Sequence, residues 1–205
     1  MAGPLHLRVF LSSPGDVADE RNLARRLLKD ELPVDPFLRD RVTLDVIAWD
    51  DPAAHIPMLA NLTPQESVNR GMARPCNCDI VVVVLWSRMG TPLPDAIRKP
   101  GGEPYLSGTE WEYEDACNAR PQPEILVYRR TEEPKIGLAD PKWEEKREQY
   151  ARVERFFERF RNPDGLLGGG YEKYATPAEF AEKLEGNLRS LLARRLADFR
   201  HGQAL

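Results

Sequence analysis

Residues 79 to 86 read DIVVVVLW, and every side chain after Asp79 is apolar. A strand with one wet face alternates polar and apolar residues, so an unbroken run of this length belongs to a strand covered on both faces. That places it at the centre of a parallel sheet. Other β-rich stretches flank it: LHLRVFLS at 5 to 12 and VTLDVIAW at 42 to 49 before it, PEILVYRR at 123 to 130 after it. DGLLGGGYEKY at 164 to 174 is expected to hold a short fifth strand near Tyr171. Strand-like and helix-like segments alternate, which is the pattern of an α/β domain.

Helix starts are legible from capping chemistry. A Ser or Thr followed three residues later by an acid satisfies orphan amide groups, and proline suits the first helical position. Ser13-Pro14-Gly15-Asp16, Thr63-Pro64-Gln65-Glu66 and Thr176-Pro177-Ala178-Glu179 have this form, and Ser107-Gly108-Thr109-Glu110 lacks only the proline. Helices are expected at about 14 to 32, 64 to 73, 108 to 119 and 177 to 199. A further amphipathic stretch at 141 to 161 carries Trp143, Tyr150, Val153, Phe157 and Phe160. It and the last helix, with Phe180, Leu184, Leu188, Leu191, Leu192, Leu196 and Phe199, are expected to pack on the sheet or on each other. SRMGTPLPDAIRKPGGEPYL at 87 to 106 has no periodicity, and loops of that length within a domain are commonly functional or disordered.

The 205 residues, 41% hydrophobic and 30% charged, suit one domain of ordinary core size. A net charge of −4 with no basic stripe argues against nucleic acid as a partner. The longest apolar run is too short for a membrane span, and MAGPLHLRVF is not a secretory leader, so a cytoplasmic protein is expected. Three cysteines fit a reducing compartment, and Cys76-Asn77-Cys78 has no second ligand pair, so no metal site is expected.

The stretch SGTEWEYEDA at 107 to 116 carries four acids. Advancing about 100° per residue puts Glu112, Tyr113, Ala116, Cys117 and Ala119 within one arc of about 160°, the side that can face the sheet. Glu114, Asp115 and Asn118 fall opposite, on the expected wet face, and Glu110 occupies the capping position. Glu112 is left on the inner face, where a carboxylate costs desolvation unless it is paired or lines a cavity. An ion pair with Arg88 or Arg120, or a hydrogen bond into the long loop, would account for it structurally. A reagent at a ligand site would account for it functionally. In open parallel sheets the ligand crevice lies beyond the carboxyl ends of the strands where connections reverse direction. There Ser12 and Ser13, Trp86-Ser87-Arg88 and the turn bearing Glu112 would meet, and the SSPGD turn opening a helix offers amide groups to a phosphate.

RVFLSSPGDVADER at 8 to 21, LWSRMGTPLP at 85 to 94 and SGTEWEYEDA at 107 to 116 together resemble a bacterial TIR-like family. This is a domain of unknown function found at the N-termini of multidomain STAND-type ATPases and related conflict proteins. TPAEFAEKLEGNLRSLL at 176 to 192 suits the end of that module. The resemblance implies one flavodoxin-like, TIR-like domain over residues 1 to 205, with a core at about 5 to 130 and a C-terminal extension at about 140 to 200. The family looks related to TIR domains and nucleoside deoxyribosyltransferases, whose enzymes cleave N-glycosidic bonds with a glutamate. The transferases' G-T-x-x-E-x-x-x-A pattern is met by Gly108, Thr109, Glu112 and Ala116. Many TIR enzymes instead place a tryptophan four residues before the glutamate, a register that from Trp111 would point to Asp115. The loop DDPAAHIPMLANL after the second strand also lacks a TIR-type glycine and tryptophan signature.

The expected activity is cleavage of NAD+ as substrate, with no cofactor, releasing nicotinamide. Glu112 would act at the ribosyl centre. Ser12, Ser13 and the backbone of Gly15 would make polar or phosphate contacts, Arg88 would pair with phosphate, and Trp86 or Trp111 would stack on a ring. Ser13 as a helix cap, Arg88 as a solvated charge and Trp86 as core are the structural alternatives. The resemblance also implies a homo-oligomer and a sensor or ATPase partner, and leaves open a non-catalytic self-association module or a nucleoside transferase. No G-x-x-x-x-G-K-[ST] motif occurs, so any regulator is expected outside these residues.

Overall fold

A computed structural model describes residues 3–48, 73–137, 139–161 and 170–203. Its centre is a five-stranded, all-parallel sheet in the order β2-β1-β3-β4-β5, with β1 at Leu5–Ser12, β2 at Val42–Ile47, β3 at Ile80–Leu85, β4 at Glu124–Arg130 and β5 at Glu172–Tyr174. This is the flavodoxin-like arrangement, with the apolar run as the middle strand. All six residues of β3 are buried. β5 covers only Tyr128–Arg130 at the end of β4.

The pleat of β3 divides the core in two, because successive side chains point to opposite faces. Ile80, Val82 and Val84 join one cluster, packed under α1 (Ala18–Arg26) and α4 (Pro177–Gln203) through Ala24, Phe180, Leu184, Leu188 and Leu192. Val81, Val83 and Leu85 join the other, under α2 (Gly108–Asn118) and α3 (Trp143–Glu158) through Ala116, Val153, Phe156 and Phe157. Each large apolar side chain so enclosed contributes roughly 1.5–3 kcal/mol. The same alternation in β1 sends Leu7, Val9 and Leu11 to the first face and Phe10 to the second. Ser12 therefore follows Phe10 towards α2.

The amphipathic segments pack as expected, although Trp143 is an exposed exception. Two capping boxes form with one change from the simple pattern. Ser107 Oγ accepts from Glu110 N and Thr176 Oγ1 from Glu179 N, both at 3.2 Å, but each glutamate reaches past the cap residue to the amide before it, Leu106 N and Ala175 N. The first helical segment is broken up. A 3-10 turn at Gly15–Val17 precedes α1, a π turn at Leu27–Glu31 follows it, and Leu32–Val34 closes as 3-10 around Pro33. The helix expected at 64 to 73 and the loop at 50 to 62 lie outside the described residues, apart from Ala73 itself.

Candidate functional site

β1 is flanked by β2 on one side and β3 on the other, so the connections reverse direction there and leave a crevice past the strand ends. A cleft of about 460 Å³ opens at this place, within the range of small-molecule sites. Its lining comes from three segments: Ser13, Pro14 and Gly15 after β1; Arg88 and Gly90 to Pro94 after β3; Gly108, Thr109 and Glu112 from the start of α2.

Glu112 is the only acid in that lining and Arg88 the only cation, among the described residues. Neither Arg88 nor Arg120 pairs with Glu112. Arg120 turns back to the carbonyl oxygens of Cys117 and Ala119. The contact made by Glu112 is with Ser12, whose hydroxyl donates to Oε2 at 2.5 Å. Ser12 is fully buried at the end of β1, behind the cleft wall rather than in it. Burial pushes the Glu112 carboxyl from its ordinary 4.5 up to about 7; the Ser12 hydrogen bond pulls the other way and the Asp115 charge adds to the rise. A carboxyl poised near neutrality, at a cleft, without a cation, suits proton transfer or stabilisation of developing positive charge.

The other acids of α2 are committed elsewhere, two of them in ways the helical wheel does not anticipate. Glu110, wholly buried, accepts from Leu106 N, Lys99 Nζ and Arg159. Burial alone would raise its pKa, but the Leu106 amide and the two cations outweigh that and hold it below the ordinary value. Glu114 does not face water freely: Lys99 and Arg159 clamp it as well, at 2.9 and 3.1 Å. Asp115 is likewise no wet residue. The 3-10 turn Pro75–Asn77 covers it, Arg74 pairs with it and Cys76 N donates to it at 2.9 Å, which leaves its side chain 8% exposed. The register that would make Asp115 the reagent thus leads to a structural ion pair outside the cleft lining.

The expected binding residues divide in the same way. Ser13, Gly15, Arg88, Gly108 and Thr109 line the cleft with Glu112. Trp86 does not. Its pleat position follows Val82 and Val84, so it packs on the face away from α2, donates Nε1–H to Glu132 O at 2.7 Å and lies beneath Arg130. Trp111 is also outside the lining and carries Arg74 against its ring.

Three residues hold the cleft together through long-range contacts that local sequence pattern does not signal. Asp16 stands in the capping position of SSPGD, yet Pro14 precedes the 3-10 turn with no side-chain cap. The Asp16 carboxylate instead crosses to the end of β3, where Oδ2 accepts from Ser87 N, Ser87 Oγ and Arg88 N, each at 2.9 Å. Arg21, buried in α1, donates Nε–H to Ser13 Oγ at 2.8 Å and Nη2–H to Pro14 O at 2.5 Å, fixing the turn after β1. On the opposite wall Gln149 of α3 accepts from Met89 N and Gly90 N, at 3.0 and 3.3 Å. Gly90 has φ +110, and a Cβ there would lie 3.3 Å from Thr109 Oγ1. The far end of the same loop is a tight turn at Lys99 to Gly102, pinned to α2 by Lys99.

Among the described residues, no helix is long and apolar enough to cross a membrane. Comparison of the chain with models of known protein families and with curated proteins finds no match.

Proposed function

We propose that this domain cleaves the N-glycosidic bond of NAD+ or a closely related nucleotide, with Glu112 as the reacting carboxyl. The observation that carries the proposal is the position of Glu112: at a cleft beyond the strand ends, joined to the Ser12 hydroxyl and not to a cation. A buried acid kept only for structure is ordinarily paired, as Glu110 is in the same helix.

In the reaction the bond between ribose C1′ and the pyridinium nitrogen breaks, and its electron pair neutralises the ring, so nicotinamide leaves without a proton. Positive charge develops on the ribosyl centre. An ionised Glu112 beside it stabilises that charge or bonds to it transiently. Water then adds to C1′ and gives up a proton, which the carboxylate can accept because its pKa lies near neutrality. A bound pyridinium cation favours the ionised form by Coulombic attraction, so substrate binding itself draws Glu112 towards the reactive state.

The test is NAD+ consumption by wild type and Glu112→Gln, each assayed dilute and forced into oligomers by a fused assembly domain, since the TIR-like resemblance implies activation by self-association. Nicotinamide release in wild type, lost in the variant, is expected. Equal turnover by both would remove Glu112 from the chemistry. No release in any assembly state would favour a non-catalytic module, and transfer of ribosyl to an added base instead of water would favour a nucleoside transferase.

A further inference from the structure

Arg88 is half-buried at the cleft wall, and no described carboxylate pairs with its guanidinium. Its surroundings do not leave it to chance. The Arg88 amide, the Ser87 amide and the Ser87 hydroxyl all donate to one oxygen of Asp16, which fixes the backbone from which the side chain departs. Asp16 engages Arg88 through the main-chain amide, and no described carboxylate is bonded to the guanidinium. Glycine at 15 and at 108 leaves open room at the backbone: a Cβ would meet nothing within 4 Å at the first and only Leu93 Cδ2, at 3.8 Å, at the second. With no carboxylate partner among the described residues, the planar guanidinium fork in this concave site can donate to two oxygens of a tetrahedral phosphate at once.

Resting on the N-glycosidic reading above, we propose that Arg88 is a phosphate anchor that makes the cleft select phosphorylated N-ribosides over unphosphorylated ones, and that Asp16 is the positioning residue that aims it. The cleft then has two charged poles of opposite sign. Glu112 meets the cationic ring and ribosyl centre, and Arg88 meets the 5′-phosphate of the same nucleotide unit. Nucleosides satisfy one pole only, so the arrangement sets nucleotides apart from them as the substrate class.

The test is calorimetric titration in a Glu112→Gln background, which prevents turnover, with nicotinamide mononucleotide, nicotinamide riboside and inorganic phosphate as probes. Both organic ligands carry the same pyridinium, so loss of the Glu112 charge affects them alike and their affinity ratio isolates the phosphate. The mononucleotide is expected to bind roughly ten- to hundredfold tighter than the riboside, with inorganic phosphate competing. Arg88→Gln should bring the ratio to within about threefold, with Arg88→Lys intermediate because a point charge replaces the fork. Asp16→Asn should shrink the ratio while riboside affinity moves less, a split that general loosening of the fold would not produce. Equal affinity for the two ligands, a ratio untouched by both Arg88 substitutions, or binding of neither ligand would overturn the proposal. A ratio that depends on Arg88 in a protein that never cleaves NAD+ would retain the phosphate anchor and reject the glycohydrolase reading, so the two fail separately.

Discussion

The Ser12 hydroxyl, at the last residue of β1, lies 2.5 Å from Glu112 Oε2, in the first turns of a helix 100 positions further along the chain. This contact joins the sheet to the helix that supplies the candidate reagent. It also supplies the one hydrogen bond that offsets the burial of that carboxyl.

Replacing Ser12 with Ala removes that donor while the desolvation stays. The Glu112 pKa should then rise further, and the limb of kcat/KM for nicotinamide release that reports its ionisation should move to higher pH by on the order of one unit. A pH–rate profile of wild type and Ser12→Ala checks this. Superimposable profiles would mean that the hydroxyl does not hold the carboxyl.

The raised pKa has a stability consequence of definite sign. The folded protein keeps the Glu112 proton up to about 7, whereas the unfolded chain releases it near 4.5. Between those values the native state binds more protons, so stability falls as pH rises and the ionised form is penalised above the window. Glu112→Gln has no such dependence. Urea unfolding of both proteins should show the variant gaining on wild type by up to about 3 kcal/mol as pH rises across this window, nearly all of it in place by neutrality and level above it. A constant difference across the range would contradict the shift.

Lys99→Met should loosen the loop that walls the cleft. Glu110 keeps Arg159 and the Leu106 amide but loses one of its cations, which costs about 1–3 kcal/mol of stability at neutral pH. Because the Glu110 pKa is held below its ordinary 4.5, its own contribution is present above that value and disappears as pH falls through the depressed one. Hydrogen exchange at the Lys99 and Gly102 amides, which close the turn, should accelerate. Unchanged exchange would show that the turn holds without the ion pairs.

Gly90→Ala should destabilise the protein by about 1–3 kcal/mol, since L-residues avoid this backbone region and the new methyl would press on Thr109. Denaturant titration measures it. A change within about 0.5 kcal/mol would indicate that the loop relaxes around the new side chain.

Much of the fold is readable from local pattern. The uninterrupted apolar run names the central strand, the Ser and Thr caps at 107 and 176 start helices where expected, and the 100° step puts Glu112 on the side of the helix that lines the cleft. What pattern misses is long-range pairing. A helical wheel for α2 cannot include the Pro75–Asn77 turn that arrives over Asp115, nor Lys99 and Arg159 closing on Glu114. Asp16 has the spacing of a cap, and only the approach of β3 offers it three better donors. Trp86 is different, because its face could have been read from strand parity. It shares the side of Val82 and Val84, opposite to α2, just as Ser12 shares that of Phe10.

The helix α3 meets the cleft supports at two places, near its middle and just past its C-terminal end. Gln149 holds Met89 and Gly90 on one wall, and Arg159, just past its last turn, grips Glu110 and Glu114 under the other. Mechanically it is a splint: a rigid rod fastened across two walls transmits any tilt of one to the other. Spacing between the β3 loop and the start of α2 is thereby set from outside the sheet, by an element that contributes no side chain to the cleft itself.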